Sequence, residues 1–280
     1  MGLGEEAPVS ARAKGPVAPP PAPSEWIEDE RPARRGVEPV AEVRATHALP
    51  ADVAASIRNA VAGTVAQKER TVRMMTKASE AYDRHRYEEA VRHVRPVSEL
   101  APTVPEVREI AGLAAYRAQQ WNLAKANLLA HHDLSGDPQH LPLVMDCDRA
   151  HRRYRAVEKT FEMLEDEGAD ADTLAEGRIV MAGAWADRRE YDKAVEVLTR
   201  AGALKSLRNP GYRHIRLWYA LADVYDRAGD AAAAREMFAR VVAAEPDAYD
   251  AAARLADLGV VARRKNRPQR TRPVSKKREA

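Results

Sequence analysis

The sequence predicts an all-α fold: an α-solenoid of stacked helix-turn-helix units with disordered N- and C-terminal tails. Three observations carry this expectation. Apolar residues recur at spacings of three and four in paired stretches, which places them on one face of a helix each time. A set of small and aromatic residues repeats at a fixed period. Aromatics make up only 5% of the 280 residues, with two phenylalanines. That is little for one large globular core, but enough for the thin cores between layers of a solenoid.

In chain order, residues 1–48 are rich in Pro, Ala and charge, with Pro19, Pro20 and Pro21 in a row. Such a composition buries too little apolar area to offset the entropy of ordering. Trp26-Ile27 stands in it, followed by Glu28, Asp29 and Glu30. It is either a short docking peptide or an incidental apolar pair. Order begins near Leu49-Pro50. Val53, Ile57, Ala60 and Val61 share the face of a first helix. Gly63 interrupts, and Thr64 caps a second helix to about Arg84 with Val65, Val72, Met75, Ala78 and Tyr82 on its apolar side.

The repeat starts here. Ala78, Tyr82, Tyr87, Ala90 and Val94 are followed 34 residues later by Gly112, Tyr116, Trp121, Ala124 and Leu128. A third unit is degenerate: Leu143, Val144, Met145 and Cys147, then Tyr154, Val157, Phe161 and Leu164. A fourth is clear again at Ala182, Tyr191, Ala194 and Leu198. An insertion, Ala203 to His214, carries the turn signal Asn209-Pro210-Gly211. The fifth unit holds Trp218, Leu221, Ala222 and Tyr225, a stop at Gly229, then Ala234, Phe238, Val241, Val242 and the terminator Pro246. A last helix, about 248–259, is partly polar and suits an end cap. The order W-x2-L-A-x2-Y, G, A-x3-F, P resembles the tetratricopeptide repeat, a 34-residue helix-turn-helix unit, and the resemblance covers about 74–259. The stretches 176–187 and Leu217 to Gly229 also resemble an uncharacterised group of such proteins from high-GC bacteria, which implies no activity. The body is therefore expected to span 49–260 as five helix pairs with capping helices. Pro96 should kink the helix at 87–100.

The chain shows no phosphate-binding Gly-rich loop, no G-x-S-x-G and no H-E-x-x-H. His131 and His132 are adjacent on a helix and point about 100° apart, so they do not readily share an ion; both suit a helix C-terminus. Asp146, Cys147 and Asp148 do not face one another either, and Cys147 reads as a small core residue. No enzyme, cofactor or metal centre is expected. One cysteine, no membrane-length apolar run and no leader pattern suit a soluble cytoplasmic protein.

The resemblance implies a concave groove lined by the first helix of each pair. Its inward positions include Tyr82, Glu109, Tyr116, Arg117, Arg149, Arg216, Tyr219, Asp223 and Arg227. Members that grip a C-terminal carboxylate carry Lys and Asn at two such places; here Met75 and Ser79, Glu109 and Leu113, Pro142 and Asp146 stand there, which speaks against that specialised use. The expected function is a non-enzymatic adaptor holding a peptide or helix of another protein.

Charge supplies the alternative. Residues 261–280 carry +8, residues 1–48 carry −2 and the body −3, for a total of +3. The tail residues Arg263, Arg264, Lys265, Arg267, Arg270, Arg272, Lys276, Lys277 and Arg278 suit nucleic acid or an acidic partner through counterion release. No aromatic interleaves them, so base stacking is not implied.

Overall fold

Twelve α-helices and no strand make up the described residues of a computed structural model. These are residues 49–265 apart from Ser206, with the backbone alone described at 260–265. Residues 1–48, with Trp26-Ile27, lie outside the described residues, as do Arg267, Arg270, Arg272, Lys276, Lys277 and Arg278.

Helix α1 (Ala51–Ala60) precedes five antiparallel pairs: α2 (Val65–Asp83) with α3 (Tyr87–Leu100), α4 (Pro105–Arg117) with α5 (Trp121–Ser135), α6 (Leu141–Ala150) with α7 (Tyr154–Asp166), α8 (Ala171–Asp187) with α9 (Tyr191–Arg200), and α10 (Tyr212–Ala228) with α11 (Ala231–Ala244). Helix α12 (Ala251–Lys265) packs on α11 and closes the array. It runs six residues past the predicted end, so Arg263, Arg264 and Lys265 continue a helix rather than start a tail. Each pair also packs against the next, and α8 touches α6 and α10, so first helices form one layer. The stacked helix pairs of an α-solenoid are thus in place.

Local chemistry sets these elements. Thr64 caps α2 reciprocally: its hydroxyl accepts from Gln67 N at 3.3 Å, and Gln67 Oε1 accepts from Thr64 N at 2.7 Å. Asp170 caps α8 by accepting from the amides of Asp172 and Thr173, both at 2.8 Å. Pro96 lies inside α3, which continues to Leu100. Val65, expected on the apolar face, is 76% exposed. It is the first residue of α2, and the core shared by α1 to α4 draws on that helix only from Val72 onward.

Within every pair two small or medium residues lie 12 residues apart, one on each helix: Ala78 and Ala90, Gly112 and Ala124, Met145 and Val157, Ala182 and Ala194, Ala222 and Ala234. All but Gly112 are at most 1% exposed. Gly112 shows how close the helices come. A Cβ there would lie 2.6 Å from Leu128 Cδ2 and 3.1 Å from the Leu128 amide nitrogen. The third pair is degenerate in sequence because Met145 and Val157 fill this crossing with larger side chains.

The five turns within the pairs are also alike. Each has one residue in the left-handed region: His85 (φ 58°), Gln119 (58°), Arg152 (57°), Arg189 (64°) and Gly229 (87°). The next amide reaches back to the first helix each time: Arg86 N to Ala81 O at 2.8 Å, Gln120 N to Ala115 O at 2.8 Å, and Asp230 N to Tyr225 O at 2.9 Å. This is the Schellman arrangement, which satisfies carbonyls the helix leaves bare. Aromatic pairs flank two of the turns, Tyr82 with Tyr87 and Tyr116 with Trp121, edge to face at 5.6 and 5.3 Å.

Two outcomes follow. Ala124→Trp places a large ring at the closest crossing and should cost at least about 3 kcal/mol; a melting temperature equal to wild type would refute the crossing. Gln119→Gly relieves a left-handed residue worth about 1–2 kcal/mol, against about 0.5–1 kcal/mol of extra chain entropy. It should raise the urea midpoint slightly, and a lower midpoint would mean that the Gln119 side chain itself stabilises the turn.

Candidate functional site

The first helices line a cleft of about 500 Å³. Tyr82 comes from α2; Leu113, Tyr116 and Arg117 from α4; Pro142 and Leu143 from α6; Asp172, Thr173 and Glu176 from α8; and Tyr212, Arg213 and Arg216 from α10. Gln139 and His140, from a 3-10 turn at Pro138–His140, complete the wall together with Gly211. The Asp170 cap fixes where α8 starts, and so sets Asp172, Thr173 and Glu176 at the cleft. On the other side Gly211 starts α10, its amide donating to His214 Nδ1 at 3.2 Å.

The cleft is apolar with charged walls. Tyr212 is 40% exposed and Tyr116 is 1% exposed, its hydroxyl donating to Asp146 Oδ2 at 2.7 Å. The Arg117 guanidinium lies over the Tyr87 ring at 4.8 Å. Arg213 donates to Asp172 at 2.7 Å, and Arg216 donates to Glu176. Burial pushes the Glu176 carboxyl up to about 7, against the pull of Arg216. Arg213 and Arg216 of α10 are thus each paired with a carboxylate of α8 across the cleft wall.

Four of the residues singled out in the sequence, Tyr82, Tyr116, Arg117 and Arg216, meet at this cleft. Of the other five, Glu109 pairs with His140, while Arg149, Tyr219, Asp223 and Arg227 belong to a chain of hydrogen bonds and ion pairs running through the first-helix layer. Arg149 clasps Asp187 with two hydrogen bonds of 2.7 and 3.2 Å and stands 3.6 Å from Asp146. Arg227 donates to the same Asp187 at 2.8 Å and lies 3.8 Å from Asp223. Arg254 of α12 then bridges Asp223 and Asp226 at 2.8 and 2.7 Å. Tyr219 is 1% exposed and donates to Asp250 at 2.6 Å. The helices α4, α6, α8, α10 and α12 are thus linked in series, from Tyr116 to Arg254. Gly183 makes room for Arg149, since a Cβ there would sit 2.6 Å from the guanidinium carbon.

Sequence reasoning missed His140, Glu176, Tyr212 and Arg213 at the cleft, and Asp187 and Arg254 in the ion-pair chain. Tyr212 and Arg213 directly follow the Asn209-Pro210-Gly211 turn signal, so the start of α10 was the available clue. Cys147 is 2% exposed, and burial pushes its thiol well above the ordinary range, with Asp146 and Asp148 adding to the effect. A thiol held protonated is a poor nucleophile.

Residues 186–258, from the end of α8 into α12, match the family model described as Tetratricopeptide repeat. The match supports reading the chain as a tetratricopeptide repeat protein, a class that serves as scaffolds for protein–protein interaction. No curated protein matches the chain. Among the described residues no helix is long and apolar enough to cross a membrane.

Asp187 is the junction of the ion-pair chain. Its burial would raise its pKa, but hydrogen bonds and charge from Arg149 and Arg227 hold it below the ordinary 3.8. A depressed carboxylate contributes stability above its unfolded pKa and loses it as pH falls through the folded value. Asp187→Asn should therefore lower stability at pH 7 by about 1–3 kcal/mol and flatten the loss of stability below about pH 4. Equal urea midpoints at pH 7 would show the network to be dispensable.

Proposed function

We propose that this chain is a non-catalytic adaptor that holds a peptide or helix of a partner protein in the cleft between α2, α4, α6, α8 and α10. The observation that carries the reading is the lining itself. Tyrosines and arginines, residue types that anchor interfaces, converge there from three first helices, α2, α4 and α10. Leu113, Leu143 and Pro142 suit apolar side chains of the ligand. In this reading Tyr82, Tyr116, Arg117 and Arg216 touch the ligand. Arg149, Tyr219, Asp223 and Arg227 hold the first helices at the spacing that shapes the cleft.

The test selects peptides from a random display library on the untagged chain and measures the enriched sequences by fluorescence anisotropy. Peptides with apolar anchor residues should emerge. Their affinity should fall at least about tenfold in Leu113→Glu and in Tyr212→Ala, the scale of one lost interface anchor, with melting temperatures near wild type. A chain lacking 1–48 should melt as the full chain does. If that deletion instead tightens peptide binding, the N-terminal segment competes for the cleft in cis. Peptides that bind both cleft variants as tightly as wild type would sink the reading.

A further inference from the structure

The side chains of Glu109, His131 and His140 come together where α4, α5 and the 3-10 turn before α6 meet. Glu109 projects from α4, His131 from the last turns of α5, and His140 from the end of the 3-10 turn. One possible ligand atom from each lies within 4.8 Å of the other two. The imidazole rings are 5.4 Å apart between centroids and inclined at 54°. His131 and His140 are 7% and 8% exposed, and Glu109 is partly open to solvent.

The hydrogen bonds fix how the two imidazoles are held. His131 Nδ1 lies 3.0 Å from the Pro105 carbonyl, which can only accept, so this nitrogen carries the proton. The lone pair is then on Nε2. Its nearest polar neighbour, the Ser135 hydroxyl, is 3.5 Å away and gives its hydrogen to the His131 carbonyl at 2.8 Å. An imidazole whose second nitrogen is fixed by a backbone carbonyl is the usual outer support of a metal-binding histidine. His140 Nε2 stands 2.9 Å from Glu109 Oε1. An ion between these two atoms would take the place of the shared proton. Tetrahedral zinc with bonds of about 2.0–2.1 Å spaces its ligands about 3.3–3.4 Å apart. The pair therefore opens by a few tenths of an ångström, while a separation of 4.8 Å would close by roughly 1.4 Å through side-chain rotation.

We propose that Glu109, His131 and His140 form a binding site for a divalent transition-metal ion, zinc by preference. Two imidazoles and a carboxylate suit that class; magnesium and calcium call for oxygen ligands. Three protein ligands leave a coordination position open. His140 also lines the cleft, so a carboxylate or imidazole presented from the cleft can complete the sphere. The ion would tie the second helix pair to the start of the third.

The test uses the untagged full chain and the metal alone. Co2+ titration should give the intense visible absorption of a four-coordinate site at one equivalent, and Zn2+ should displace it and raise the melting temperature. Glu109→Gln keeps a hydrogen-bond partner for His140, and with His131→Gln it should weaken binding at least about tenfold, since even loss of an outer partner costs that much. The metal-free melting temperature of Glu109→Gln should stay near wild type. His132→Gln, whose ring points away to Glu167 at 2.7 Å, should bind as wild type does. Absence of saturable binding would overturn the proposal, as would equal binding by the Glu109→Gln/His131→Gln double variant.

Discussion

Two helices can cross as closely as α4 and α5 only where one of them has almost no side chain. Gly112 meets that condition, because any Cβ would run into Leu128, backbone included. The rest of the architecture depends on this crossing and its counterparts. Neither helix of a pair buries its own apolar face, so each pair must find a second surface, and stacking supplies it. The crossing residues Ala90, Ala124, Ala194 and Ala234 are all fully buried, so the array propagates through contacts that tolerate no added methylene. The left-handed turn seven residues after the first crossing position then follows from geometry. With the crossing fixed and the loop short, the chain has one economical way to reverse. It takes that way at His85, Gln119, Arg152 and Arg189, although only Gly229 is a residue type suited to it.

The strictness within pairs contrasts with the slack between them. Crossing positions follow one another at 78, 112, 145, 182 and 222, so two intervals are near the repeat length and two are longer. The first two pairs were legible because both the crossing and the interval repeat. The third was blurred because Met145 and Val157 replace small residues at the same place. The fifth was legible by its own motif despite the insertion before it. Apart from the stop at Gly229, the turns were not legible: histidine, arginine and glutamine give no hint of a positive φ. The end of α12 was misjudged because a basic run reads as tail, whereas the helix continues through Arg263 to Lys265.

The candidate site divides along a related line. The family resemblance implies inward positions for Arg149, Asp223 and Arg227, and in the structure all three sit in the ion-pair chain. Periodicity is silent on what stands opposite. Asp187 and Arg254 come from neighbouring helices 38 and 31 residues away from Arg149 and Asp223, and pairing at that distance is a property of the stack. Glu109, His131 and His140 are hidden for the same reason. They occupy three elements at spacings that match no metal-binding motif, and they meet only because α4, α5 and the 3-10 turn converge.

The cleft itself arises from the least regular element. Helix α6 has 10 residues, where α8 and α10 have 17 each. At 1.5 Å per residue, that shortens the first helix of the third pair by about 10 Å. Prolines at 138 and 142 account for it. A proline in the first turn needs no amide partner, and Pro138 opens a 3-10 turn in place of the missing helical turns. A regular first helix here would continue the layer that α4 and α8 define and fill the space between them. Its absence leaves Leu113 and Arg117 on one side facing Asp172, Glu176 and Arg216 on the other, and turns His140 toward both the cleft and Glu109. The repeat thus builds a rigid wall, held from Tyr116 to Arg254 by its polar chain. The third pair, with its shortened first helix, borders the recess in that wall.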